Sequence, residues 1–179
     1  MSPPTWTHTG YAQKLHFGLG ASRRLPEIAR EVGARRFLLV TSAGRLASAD
    51  GERLVGLLGR SLASTFDGVR SHLPTDVVQA ALLQARRDAI DAVVSFGGGS
   101  AMDLGKAIVY FTEQEAGAPG TTYLDRPALP HVAIPTTYSG AEITMFFGMT
   151  DERTRTKGGG GGPTTAPVAV VYDLSLIHI

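Results

Sequence analysis

The chain reads as an α/β protein: a Rossmann-like parallel sheet with helices on both faces, plus a β-hairpin. Three observations predict this. Short apolar runs alternate with helix-period stretches from residue 13 to residue 134. One junction, DAVVSFGGGSAMDLGKAIVY at 91–110, joins a buried strand to a helix through three consecutive glycines. Beyond residue 134 the alternation stops, and two β-rich runs flank a polar, glycine-rich stretch.

Residues 13–17 form the first strand, closed by Gly18 and Gly20. Residues 23–32 follow as a helix with Leu25, Ile28 and Val32 on one face. The run RFLLVT at 36–41 is a buried strand that leaves through the polar Ser42, Ala43, Gly44 and Arg45. Residues 50–62 are helical, with Leu54, Leu57, Leu58 and Leu62 turned inward, and 64–66 make a short strand. Thr75, after Pro74, is expected to cap a helix over 75–87. Residues 92–96 are the strand before the glycine turn, and the next helix opens at Ser100. Residues 131–134 are a buried strand stopped by Pro135. The runs 143–149 and 166–171 read as two strands joined by DERTRTKGGGGGPTTAP, with glycines 158–162 as a mobile hairpin tip. That glycine run superficially resembles a phosphate loop, but no helix pattern follows it.

Composition narrows the function classes. Hydrophobic residues make up 43% and charged residues 18%, which fits a soluble globular domain and not a disordered chain. The net charge is +1 without a basic tract, so nothing calls for nucleic acid or an anionic membrane surface. The chain has no cysteine, which excludes disulfides, thiolate nucleophiles and Cys-ligated metals. No apolar run is long enough to span a membrane, and the N-terminus lacks a basic region followed by an apolar stretch. Cytoplasmic residence is the expectation.

Two segments concentrate site chemistry. In the first, Gly97, Gly98 and Gly99 allow close backbone approach, and the helix start behind them offers unpaired N–H groups. The turn is therefore either a phosphate seat or simply a tight strand-to-helix connection. Ser100 and Asp103 have capping-box spacing, and Lys106 stands one turn from Asp103, as in an intrahelical ion pair. The second segment, IPTTYSGAEIT at 134–144, crowds Thr136, Thr137, Tyr138, Ser139 and Glu142 beyond a strand's carboxyl end, where open parallel sheets bind ligands. An ordinary loop that caps itself through its own hydroxyls is the competing reading. Tyr138 either approaches substrate or packs against the loop, and Glu142 reads as a brace. Five histidines (His8, His16, His72, His131, His178) show no HxxxH spacing, so no metal ligand and no catalytic residue is assigned.

Together, FGGGSAMDLGKAI and IPTTYSGAEIT resemble the iron-containing alcohol dehydrogenase superfamily, with its GGGSxxDxxK turn and its later PTT loop. FGLGA at 17–21 and VVYD at 170–173 look similar too. Within the superfamily the short PTTYSGAE loop is most like the PTTYxGSE of maleylacetate reductases, with Ala141 in place of the serine. The segment 113–130 is instead closer in length to that of the alcohol dehydrogenases. The resemblance implies an NAD- or NADP-dependent oxidoreductase acting on a small molecule, reducing maleylacetate to 3-oxoadipate in aromatic-compound catabolism, and homodimeric at full length. A metal-dependent alcohol dehydrogenase is the alternative, and a non-catalytic nucleotide-binding module a third.

Residue by residue, the resemblance puts Gly97, Gly98, Gly99 and Ser100 on the pyrophosphate. It puts Thr136, Thr137 and Ser139 on the nicotinamide-ribose side and Lys157 near the ribose. Ser42 stands where many NAD-specific members have an aspartate, so a 2′-phosphate meets no repulsion there and Arg45 can help to bind it. The resemblance further implies that residues 1–173 are the dinucleotide-binding domain and 174–179 an artificial end. The family's all-helical domain, with any metal ligands, would lie beyond. The chain alone is then expected to bind dinucleotide weakly, to lack turnover and to aggregate.

Overall fold

The computed structural model describes residues 12–117 and 127–177. Expectations touching His8, His178, Ile179 and the middle of the 113–130 segment lie outside the described residues. Six strands form one parallel sheet: β1 (Lys14–Gly18), β2 (Phe37–Val40), β3 (Leu62–Phe66), β4 (Ala92–Gly97), β5 (His131–Pro135) and β8 (Ala169–Asp173). Their order across the sheet is β1-β8-β5-β4-β2-β3. Strands β6 (Phe146–Asp151) and β7 (Thr156–Gly161) form a separate antiparallel hairpin. The helices are α1 (Leu25–Glu31), α2 (Ala43–Leu46), α3 (Ala49–Leu58), α4 (Thr75–Arg87) and α5 (Gly99–Glu115).

Alternation along each strand sorts the core into two layers. In β2, Phe37 and Leu39 face α1 and α3, while Leu38 and Val40 face α4 and α5. β2 and β4 are buried along their whole length because both faces are covered. Right-handed crossovers explain the split: connections running one way across the sheet cover one face, and those running the other way cover the opposite face. The direction reverses between β2 and β4. A crevice therefore opens at the carboxyl ends of those two strands.

Several expectations are corrected. The helix expected over 50–62 stops at Leu58, because Gly59 turns the chain with φ 50, and Leu62 starts β3. Pro74, not Thr75, holds the cap position of α4, and Thr75 is its first helical residue. The supposed polar exit after β2 contains the short helix α2. The last β-rich run is no hairpin partner: β8 inserts between β1 and β5. The glycine run is not a tip but most of strand β7, and the turn lies at 152–155. Glycine is required there by crowding. A Cβ on Gly159 would lie 2.2 Å from the Phe147 carbonyl oxygen, and one on Gly160 would lie 2.9 Å from the Tyr110 ring.

One core contact gives a sharp stability test. Gly105 on α5 lies against His131 on β5, and a Cβ there would sit 2.4 Å from Nε2 of the ring. The ring cannot swing away freely, since Ser95 Oγ holds that nitrogen at 2.7 Å. Both Ser95 and His131 are buried, and burial holds His131 down to about 3, with the Lys106 charge adding to the effect. Gly105→Ala is expected to cost about 2 kcal/mol by overpacking. The midpoint of thermal unfolding should fall by roughly 6 °C. An unchanged midpoint would show that the helix shifts at no cost.

Candidate functional site

The glycine turn stands at the crevice between β2 and β4. Gly97 ends β4 with φ 150, a conformation open to glycine and few other residues. Gly98 occupies the cap position of α5, which begins at Gly99. The capping-box expectation for Ser100 and Asp103 is thus corrected: Ser100 is already inside the helix, and no side chain caps it. The first N–H groups of a seventeen-residue helix are left for another partner. Asp103 does form the expected pair with Lys106, at 3.0 Å.

The second segment lies directly on the first. Thr136 N–H donates to the Gly97 carbonyl at 2.8 Å, continuing the β4–β5 ladder into the loop. Cβ atoms built on Gly98 and Gly99 would lie 3.2 Å from Thr137 Oγ1 and 3.3 Å from Ser139 Cβ. The loop is therefore packed against the turn, with Thr137 beside Gly98 and Ser139 beside Gly99. Thr136 is fully buried, and its hydroxyl has no hydrogen-bond partner among the described residues. It supports the loop through its backbone and does not open onto the groove.

Two adjoining pockets run along the turn. One, of about 210 Å³, is lined by Ser42, Arg45, Arg70, Ser71 and the stretch from Phe96 to Ala101. It holds two arginines, and no carboxylate lines it among the described residues. The Arg45 guanidinium stacks over the Phe96 ring at 5.6 Å. Arg70 is partly neutralised by Asp76 at 2.5 Å and Glu152 at 3.6 Å. The other pocket, of about 290 Å³, shares Gly99 and Ser100 and continues to His72, Met149 and Lys157. Residues from four loops thus reach one phosphate-sized turn. A larger cavity, of about 660 Å³, is at the opposite end of the sheet beside Lys14 and Pro130, away from the carboxyl ends where such sheets bind ligands.

Tyr138 is not packed into the loop: it is 69% exposed, and it shares an apolar pocket with Phe17, Tyr172 and Ile177. Glu142 acts as the expected brace. Its carboxylate accepts from Ser139 Oγ at 3.1 Å and from Tyr172 Oη at 2.9 Å. Burial and that bond to Glu142 push the Tyr172 phenol well above its ordinary range. Arg70, Ser71 and His72 were not legible as site residues. The available signal was their place in the loop after β3, since every such loop in a parallel sheet exits on the ligand-binding side. Among the described residues, no three His, Asp or Glu side chains gather as a metal would require, and no helix is long and apolar enough to cross a membrane.

Known proteins share this arrangement. The family model described as iron-containing alcohol dehydrogenase matches residues 12–174. A maleylacetate reductase of Rhizobium sp. strain MTP-10005 is 32% identical over 96% of this chain and 43% of its own length. One from Burkholderia cepacia is 34% identical over 91% and 41%. The crystal structure of maleylacetate reductase from Agrobacterium tumefaciens superposes with a TM-score of 0.81 at 31% identity, covering 98% of this chain and 44% of that one. Sulfoacetaldehyde reductase from Bifidobacterium kashiwanohense, solved in complex with NAD+, shares the fold with a TM-score of 0.85 at 23% identity. The chain spans less than half the length of these relatives. A family match over nearly the whole chain, on a sheet with the glycine turn and hydroxyl loop at its switch point, leaves one assignment: the chain belongs to the iron-containing alcohol dehydrogenase family, a family of oxidoreductases.

Proposed function

We propose that this chain is the dinucleotide-binding part of an NAD(P)H-dependent oxidoreductase, and that the full-length protein reduces maleylacetate to 3-oxoadipate. The observation that carries the reading is the glycine turn that opens α5 without a side-chain cap and lines a pocket beside Ser42 and Arg45. Gly97–Ser100 would seat the pyrophosphate on the start of α5. Ser42 and Arg45 would meet the adenosine ribose, and Lys157, with Thr137 and Ser139 from the loop packed on the turn, the nicotinamide side. Tyr138, exposed beside an apolar pocket, would touch substrate. When bound, the dinucleotide supplies a hydride to one carbon of the substrate double bond, and a proton goes to the other. The protein's share is position, electrostatics and exclusion of water. The substrate rests on the maleylacetate reductase relatives. The family description also supports a metal-dependent alcohol oxidation. Assaying the full-length protein with maleylacetate and with simple alcohols, before and after chelation, decides between the two.

The arginine-lined pocket supports use of both NADH and NADPH, since Ser42 is not an aspartate and no carboxylate is among the pocket's described lining residues. Ser42→Asp is expected to weaken NADPH by roughly tenfold relative to NADH, the effect of one uncompensated like charge. Titration of both coenzymes by fluorescence measures this. An unchanged NADPH/NADH ratio would place the adenosine ribose elsewhere.

A further inference from the structure

Lys106 is a fully buried lysine, one of the largest side chains with no exposure at all. Burial pulls its ammonium below the ordinary lysine range, opposed by Asp103 and Glu142. A buried ammonium is tolerated only when its N–H groups are matched, and here they are. Nζ donates to the Ala141 carbonyl at 2.9 Å and to the Phe146 carbonyl, and it pairs with Asp103 Oδ1 at 3.0 Å. Asp103 extends the reach: its other oxygen accepts from Gly148 N–H at 3.2 Å.

These partners are not scattered. Ala141 opens the 3-10 turn immediately after the loop that carries Thr137, Tyr138 and Ser139. Phe146 and Gly148 belong to β6, whose antiparallel partner β7 carries Lys157. The lysine itself sits on α5, the helix whose first turn holds Gly99 and Ser100. The hydroxyl loop thus has two anchors. At its near end, Thr136 N–H bonds to Gly97. At its far end, the backbone is fastened to Lys106.

We propose that Lys106 is a positioning residue for the dinucleotide site: from inside α5 it fixes the hydroxyl loop and the Lys157 hairpin at their distance from the glycine turn, without touching the ligand. This rests on the cofactor reading above. A side chain that sets geometry in this way changes affinity for the part of the ligand that would meet the loop and the hairpin. It leaves the adenosine end, bounded by Ser42 and Arg45, nearly untouched.

The test uses the full-length protein and two probes. NADPH spans the whole groove, and ADP reaches only the adenosine and pyrophosphate end. Lys106→Met keeps the volume and removes the donors. It is expected to weaken NADPH about tenfold and ADP by less than about twofold. Amide exchange in 139–148 should quicken without ligand present. A folded variant with unchanged NADPH affinity overturns the proposal, as does an equal loss for both probes, which would mark a general loosening. Should Lys106→Met fail to fold, Asp103→Asn decides. Its loss of the ion pair is expected to weaken NADPH about threefold with ADP unchanged, and no change in NADPH overturns the proposal. Failure of the unsubstituted full-length protein to bind NADPH or ADP would instead refute the cofactor reading itself.

Discussion

Gly98→Val is expected to abolish dinucleotide binding, lowering affinity at least about a hundredfold, while the protein stays folded. The added Cβ would lie 3.2 Å from Thr137 Oγ1, and the two methyl groups beyond it would crowd the face of the turn that a pyrophosphate must approach. The backbone itself tolerates the change, because Gly98 has φ −87 and ψ −168, extended values that valine adopts readily. The stability cost should be small, so thermal unfolding separates a blocked site from a broken fold. A hundredfold loss corresponds to about 2.7 kcal/mol, a reasonable penalty for losing close approach of an anion to a helix start. Undiminished binding of NADH or NADPH, measured by fluorescence titration, would show that the pyrophosphate lies elsewhere.

The largest stability effect is expected at Asp173. Its carboxylate, fully buried at the end of β8, accepts from the N–H and hydroxyl of Ser22 at 3.0 and 2.5 Å, and from those of Ser175 at 3.0 and 2.7 Å. Gly20 N–H adds a fifth bond at 2.8 Å. Burial alone would push this carboxyl up, but the Ser175 and Ser22 bonds outweigh it and hold it far below the usual carboxylate range. Asp173→Ala strands these donors and should cost about 3 kcal/mol, or roughly 9 °C in the unfolding midpoint. The sign of the pH dependence follows from the lowered value. The ionised group stabilises the fold fully above the ordinary aspartate value of 3.8, and that stabilisation is lost as pH falls below it. The gap between wild type and variant should therefore narrow on acidification below that point, in urea denaturation at stepped pH. A gap that widened instead would mean that the carboxylate is not the group holding the turn after β1.

The sheet was legible in the sequence because strands such as Phe37–Val40 and Ala92–Gly97 are continuous apolar runs between turn residues, as parallel strands buried on both faces must be. The glycine turn and the hydroxyl loop were legible as separate motifs, and their contact follows from β4 and β5 being neighbours. Less was legible where tertiary packing overrides local pattern. Five consecutive glycines have no strand propensity, and β7 exists because Tyr110, Phe146 and Phe147 leave room for nothing larger. For Lys106 only the ion pair with Asp103 was legible, since sequence spacing shows its acidic neighbour but not the carbonyls brought over it by a distant loop. Asp173 looked like part of a motif, and the structure makes it a knot between the two ends of the sheet's outermost pair.

The glycine strand has one more consequence. Strand registration normally comes from side chains that must alternate between faces, so that a slip by one position turns the pattern inside out. From Gly158 to Gly161 there is nothing to turn inside out. The pairing that sets Thr150 opposite Lys157 is therefore dictated almost entirely by β6 and by the aromatic rings beneath it. A slip by two positions would carry the Lys157 ammonium about 6.8 Å along the groove. The blank strand works as a rail and β6 as its stop, so the place of this cation is encoded in the neighbouring strand and not in its own.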